Sequence, residues 1–85
     1  MKFQGAVIRE QGVTFAIVIV KKGVVDNKSR AGEAINTFAP VFGHVPTILM
    51  AQDRGGRPHY YGRRDIVNFM SAVPPSAVPW KEYTV

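Results

Sequence analysis

The chain contains no cysteine. That excludes disulfide staples, thiolate-held zinc or iron–sulfur, and a thiol nucleophile, and it fits a reducing compartment. Histidine is almost as scarce: there are only His44 and His59, and neither has a neighbour at metal-ligand spacing. No H-x-x-x-H, P-loop or G-x-G-x-x-G pattern occurs. No Ser-His-Asp set assembles from Ser29, Ser71 and the aspartates, and Asp26, Asp53 and Asp65 sit where turn and cap residues sit. Long apolar runs are missing too. The longest, Phe15–Val20, falls far short of the ~20 residues that cross a bilayer. Lys2 leads into the mixed segment Phe3–Glu10, not into the unbroken apolar core of a secretory signal. The expectation is a cytoplasmic, non-catalytic protein with no metal, no cofactor and no membrane contact.

What is present suits one small folded unit. The chain has 85 residues, 46% of them apolar, which is too apolar for a disordered tail and too short for a large core. Phe3–Arg9 reads as a strand with Phe3, Gly5 and Val7 on one face and Ala6 and Ile8 on the other. Gln11-Gly12 supplies turn chemistry. Val13–Lys21 is apolar on both faces, the pattern of a mid-sheet strand that needs cover on each side. A helix follows, capped by Asp26, Asn27 or Ser29, with Ala31, Ala34, Ile35, Phe38 and Ala39 along one stripe. Pro40 stops or kinks it.

Pro46–Gln52 reads as a third strand and Asp53-Arg54-Gly55-Gly56 as a turn. Pro58–Gly62 gives a short fourth strand, and Asp65–Val73 a second helix with Ile66, Phe69, Met70 and Val73 inward. The order β-β-α-β-β-α predicts an α+β domain over residues 1–75: two layers, a four-stranded sheet with two helices on one face. Residues 76–85 form a C-terminal tail that either docks Trp80 over the sheet or frays. Gly43-His44-Val45-Pro46-Thr47-Ile48-Leu49, followed by a glycine hairpin, a short strand and a helix, resembles the distal half of a thioredoxin-like fold. The resemblance spans Gly43–Val73, and in that family the corresponding proline is cis and borders the active site. The family's Cys-x-x-Cys is missing here, so the resemblance implies no redox activity, and Pro46 is read as trans.

Charge is unevenly placed. There are 11 Lys and Arg against 6 Asp and Glu, a net charge of +5. If the chain reverses heading at each element, one end collects Lys2, Lys21, Lys22, Lys28, Arg30, Arg54 and Arg57 against Asp26, Glu33 and Asp53. Arg9, Arg63 and Arg64 fall at the other end with Glu10 and Asp65. Lys21, Lys22, Lys28, Arg30, Arg54 and Arg57 are therefore the candidate anion- or nucleic-acid-binding residues; a solubilising surface is the bland alternative. His59, Tyr61, Arg63 and Arg64 are secondary candidates, because an exposed tyrosine beside arginines can stack on a base. Three readings follow: a protein-interaction module that meets a protein partner or itself through edge strands, tail and excess apolar surface; a nucleic-acid or polyanion binder using the basic pole; or a small-ligand or metabolite site at that pole.

Overall fold

A computed structural model of the chain describes residues 2–10 and 12–84. Among these, five strands form one mixed sheet: β1 (Lys2–Glu10), β2 (Val13–Ile19), β3 (Thr47–Gln52), β4 (Pro58–Tyr61) and β5 (Lys81–Thr84). Their spatial order is β4-β3-β2-β1-β5. Three helices accompany them, α1 (Lys22–Val25), α2 (Lys28–Phe38) and α3 (Arg64–Met70). The result is an α+β fold.

The centre of the sheet is the parallel pair β2–β3, in register from Ala16↔Thr47 to Ile19↔Met50. Parallel neighbours need a crossover, which the segment carrying α1 and α2 supplies. Both strands are apolar on both sides. Phe15, Ile17, Ile48 and Met50 face one layer, completed by Ile66 and Met70 of α3 and by Val78. Val18 and Leu49 face the other, completed by Ala31, Ala34, Ile35 and Phe38 of α2. The helices therefore lie on opposite faces of the sheet, not on one face as the sequence order suggested. A helical stripe shows that a helix has an inner face; it does not show which side of the sheet that face meets.

The sheet also has five strands rather than four. Residues beyond 75 make a short 3-10 turn, Pro75–Ala77, and then β5, which pairs antiparallel with β1 from Lys2↔Thr84 to Gly5↔Lys81. Tyr83 stacks on Phe3 at 5.3 Å between ring centroids, and Phe42 meets both rings edge-on. Trp80 packs against the α3-side core, and its indole N–H donates to the Pro75 carbonyl at 2.9 Å. The C-terminal segment is thus part of the fold. Val85 and Gln11, the first residue of the expected Gln11-Gly12 turn, lie outside the described residues.

The helix expected to stop at Pro40 runs to Phe38 and tightens into a 3-10 turn over Ala39–Phe42. Left-handed Gly43 and His44, at φ 72° and 62°, then turn the chain toward β3. The segment Gly43–Val73 contains a turn, β3, a hairpin, β4 and α3. What precedes it is the antiparallel β1–β2 hairpin followed by α1 and α2, which is not the β-α-β start of the thioredoxin-like pattern. No cis peptide occurs among the described residues, Pro46 included.

Two glycines mark places where backbone and side chain nearly touch. A Cβ on Gly62, at φ 150°, would lie 2.5 Å from Cγ2 of Ile48. One on Gly5 would lie 2.8 Å from the Ile17 carbonyl oxygen and 3.3 Å from the Phe42 ring. Overfilling a packed core typically costs about 1–3 kcal/mol. Gly62→Ala and Gly5→Ala should each lower the urea midpoint by a corresponding amount, whereas Gly32→Ala, which meets nothing within 4 Å, should not lower it. An unchanged midpoint for Gly62→Ala would contradict this packing.

Candidate functional site

Three chain segments build the basic pole. The first is the exit from β2. Lys21 is extended, and the one-turn helix α1 begins at Lys22. Val24 and Val25 tuck under α2 into the core, which leaves Lys21, Lys22 and Gly23 in solvent. The second is the first turn of α2. Oδ1 of Asn27 accepts from the Arg30 backbone N–H at 3.1 Å, so Asn27 is the cap among the three expected candidates. This turn carries Lys28 and Arg30 and no acid. Cations beside the positive end of a helix dipole are electrostatically unfavourable, so charge and dipole add to the same positive field.

The third segment is the β3–β4 hairpin, organised by Asp53. Its Oδ1 accepts from the backbone N–H groups of Gly55 and Arg57, at 2.9 and 3.0 Å. Its Oδ2 lies 3.1 Å from Nε2 of His59. Gly56 adopts φ 81°, a conformation in which glycine has no Cβ penalty. The hydrogen bond with His59, followed by that from Arg57, holds the Asp53 carboxyl below the ordinary value of 3.8. The one acid in the turn is therefore occupied internally, while Arg54, Gly55 and Arg57 face solvent.

The segments converge. Lys22, Asp53, Arg54, Gly55 and Arg57 line one shallow concavity of about 540 Å³. Nη1 of Arg30 lies 3.8 Å from where a Cβ on Gly23 would stand, so its guanidinium reaches α1. Lys28 opens α2 just after α1, whose Lys22 shares the concavity with Arg54. Lys22 pairs with Asp26 at 2.7 Å, and Lys2 pairs more loosely with Glu82 at 3.7 Å. Among the described residues, Lys21, Lys28, Arg30, Arg54 and Arg57 make no ion pair.

The secondary candidates fare differently. Arg63 and Arg64 lie at the opposite end of the sheet, where α3 starts. Arg63 is already engaged: Nε and Nη2 donate to the two carboxylate oxygens of Asp65, both at 2.7 Å. This pairing raises the Arg63 pKa and lowers that of Asp65. His59 belongs to the Asp53 turn. Neither tyrosine of β4 is an exposed stacking surface: Tyr60 packs on the α3 side and Tyr61 on the α2 side, each half-buried. Burial pushes the Tyr60 hydroxyl upward. Sequence reasoning missed α1, whose one signal is the Lys22/Asp26 spacing of an i,i+4 pair. Among the described residues no group of three His, Asp or Glu gathers as a metal site would, and no helix is long and apolar enough to cross a membrane.

No family model matches the chain, and no curated protein or solved structure is significantly similar to it.

Because the Asp53 pKa is depressed in the folded state, its stabilising contribution is complete above the unfolded value near 3.8 and disappears as pH falls through the lower folded value. Amide resonances of Gly55 and Arg57 should therefore titrate together below pH 3.8, with hydrogen-exchange protection falling in the same range. Asp53→Ala should remove that step and leave the core amides of β2 unaffected.

Proposed function

We propose that the protein is a small non-catalytic interaction module that takes a polyanion at its basic pole. The observation that carries this reading is that Arg54 and Arg57 line the α1–hairpin concavity with Lys22, while Lys21, Lys28 and Arg30 lie on the adjoining β2 exit and first turn of α2. Apart from Lys22, these cations are exposed and not ion-paired among the described residues. Arginine forks suit phosphate or carboxylate oxygens. With Tyr60 and Tyr61 turned into the core, contact runs through charge and not through base stacking, so recognition is of a backbone or an acidic surface, without sequence preference. Self-association through an open apolar sheet face has less support, since helices cover both faces.

The test is a salt titration with fluorescent single-stranded RNA, duplex DNA and polyglutamate. For nucleic acid, log–log slopes should be about −0.7 to −0.9 per neutralised phosphate. Arg54→Gln with Arg57→Gln should weaken binding to all sequences alike and flatten the slope by about one per residue removed. Tight binding to polyglutamate alone would assign the pole to an acidic protein partner. Negligible binding to all three at ~50 mM salt would end the proposal.

A further inference from the structure

β5 pairs only with Lys2–Gly5 of β1, so the second half of β1 has a strand neighbour on one side alone, β2. Val7, Arg9 and Glu10 are exposed there, and Val7, at 45%, is the most exposed large apolar side chain of the described residues. A groove of about 370 Å³ follows this edge, with Phe69, Val73 and Pro79 along its side. At Glu10 and Phe69 it meets a second hollow of about 210 Å³, floored by Phe15 and Ile66. Protein sheets usually protect such an edge or use it.

From this we infer that the open edge of β1, Val7–Glu10, is a strand-addition site for an extended peptide of a partner protein. Strand addition takes its affinity from main-chain hydrogen bonds and its selectivity from alternate side chains. The charges on the edge specify the occupant. Glu10 and Arg9 point to opposite faces, and neither makes an ion pair among the described residues. A peptide running antiparallel to β1 completes the pattern with a basic residue opposite Glu10, an acidic one opposite Arg9, and β-branched residues opposite Ile8 and Val7. A second copy fits poorly. Two-fold pairing of this edge with itself centres on Ile8 and sets Glu10 against Ala6 and Arg9 against Val7, so no charge is matched. Asp65, at the rim of the smaller hollow, is already bound by Arg63, which leaves Glu10 as the carboxylate for the partner's cation. This site lies at the opposite end of the molecule from the basic pole and stands or falls independently of it.

The probe is the capped peptide Thr-Lys-Glu-Ile-Val-Thr, and its control exchanges lysine and glutamate. Addition of the first to the labelled full chain should shift and protect amides of Val7–Glu10, with those of the β3–β4 hairpin unmoved. The control should bind several-fold more weakly, since it sets like charges opposite Glu10 and Arg9 in place of attractive cross-strand pairs. Glu10→Lys with Arg9→Glu, both at exposed positions, should reverse the preference between the two peptides. No shift at millimolar peptide, equal binding of both peptides, or concentration-dependent protection of these amides without peptide would each overturn the proposal. The last would assign the edge to a second copy.

Discussion

The parallel contact between β2 and β3 is the constraint on which the other elements depend. Ile17, Val18, Ile48 and Leu49 are wholly buried in it, two toward each layer. Burying such side chains contributes roughly 1.5–3 kcal/mol each. Closing the connection from Ile19 to Thr47 costs a few kcal/mol, and that cost grows only slowly with length, by about 0.6 kcal/mol per doubling. Apolar burial therefore wins comfortably over loop entropy. Once the two strands run side by side in the same direction, each face presents an apolar strip that only a helix or the C-terminal segment can shield. α2 and Phe42 shield one face, and α3 with Val78 the other.

The same alignment decides where the charge goes. Two strands ending at the same end bring the exit from β2 and the hairpin after β3 together. The sequence places cations at both exits and in the first turn of α2. Of the acids nearby, Asp53 ties its own turn and Asp26 holds Lys22, while Glu33 is exposed and in no ion pair among the described residues. What faces solvent is still an excess of positive charge. At the opposite end the balance is closer, with Arg63 and Asp65 satisfying each other.

Much of this was legible in the residues. The doubly apolar pattern of Val13–Val20 marked the central strand, the stripe from Ala31 to Phe38 marked α2, and heading reversal placed Lys22 and Arg54 at one end. The parts that were not legible share a cause. β5 is four residues long, Lys-Glu-Tyr-Thr, and three of them face solvent. Its identity as a strand comes from the pairing of Tyr83 with Phe3, some eighty residues away, which no local pattern encodes. α1 is a single turn, too short for any periodicity to register. One tyrosine of β4, Tyr61, looked open to solvent because alternation assigns opposite faces without saying that both faces are occupied. The free half of β1 became visible only once β5 was seen to stop at Gly5.

The pairing of Lys2–Gly5 with Lys81–Thr84 also gives the sheet a seam between segments some eighty residues apart. The Phe3 and Tyr83 rings stack across it, and Phe42 closes on both edge-on. One aromatic trio therefore fastens the outermost strand and caps the α2-side core at the same place, so loss of the Tyr83 ring would loosen that margin and uncover Phe3 together.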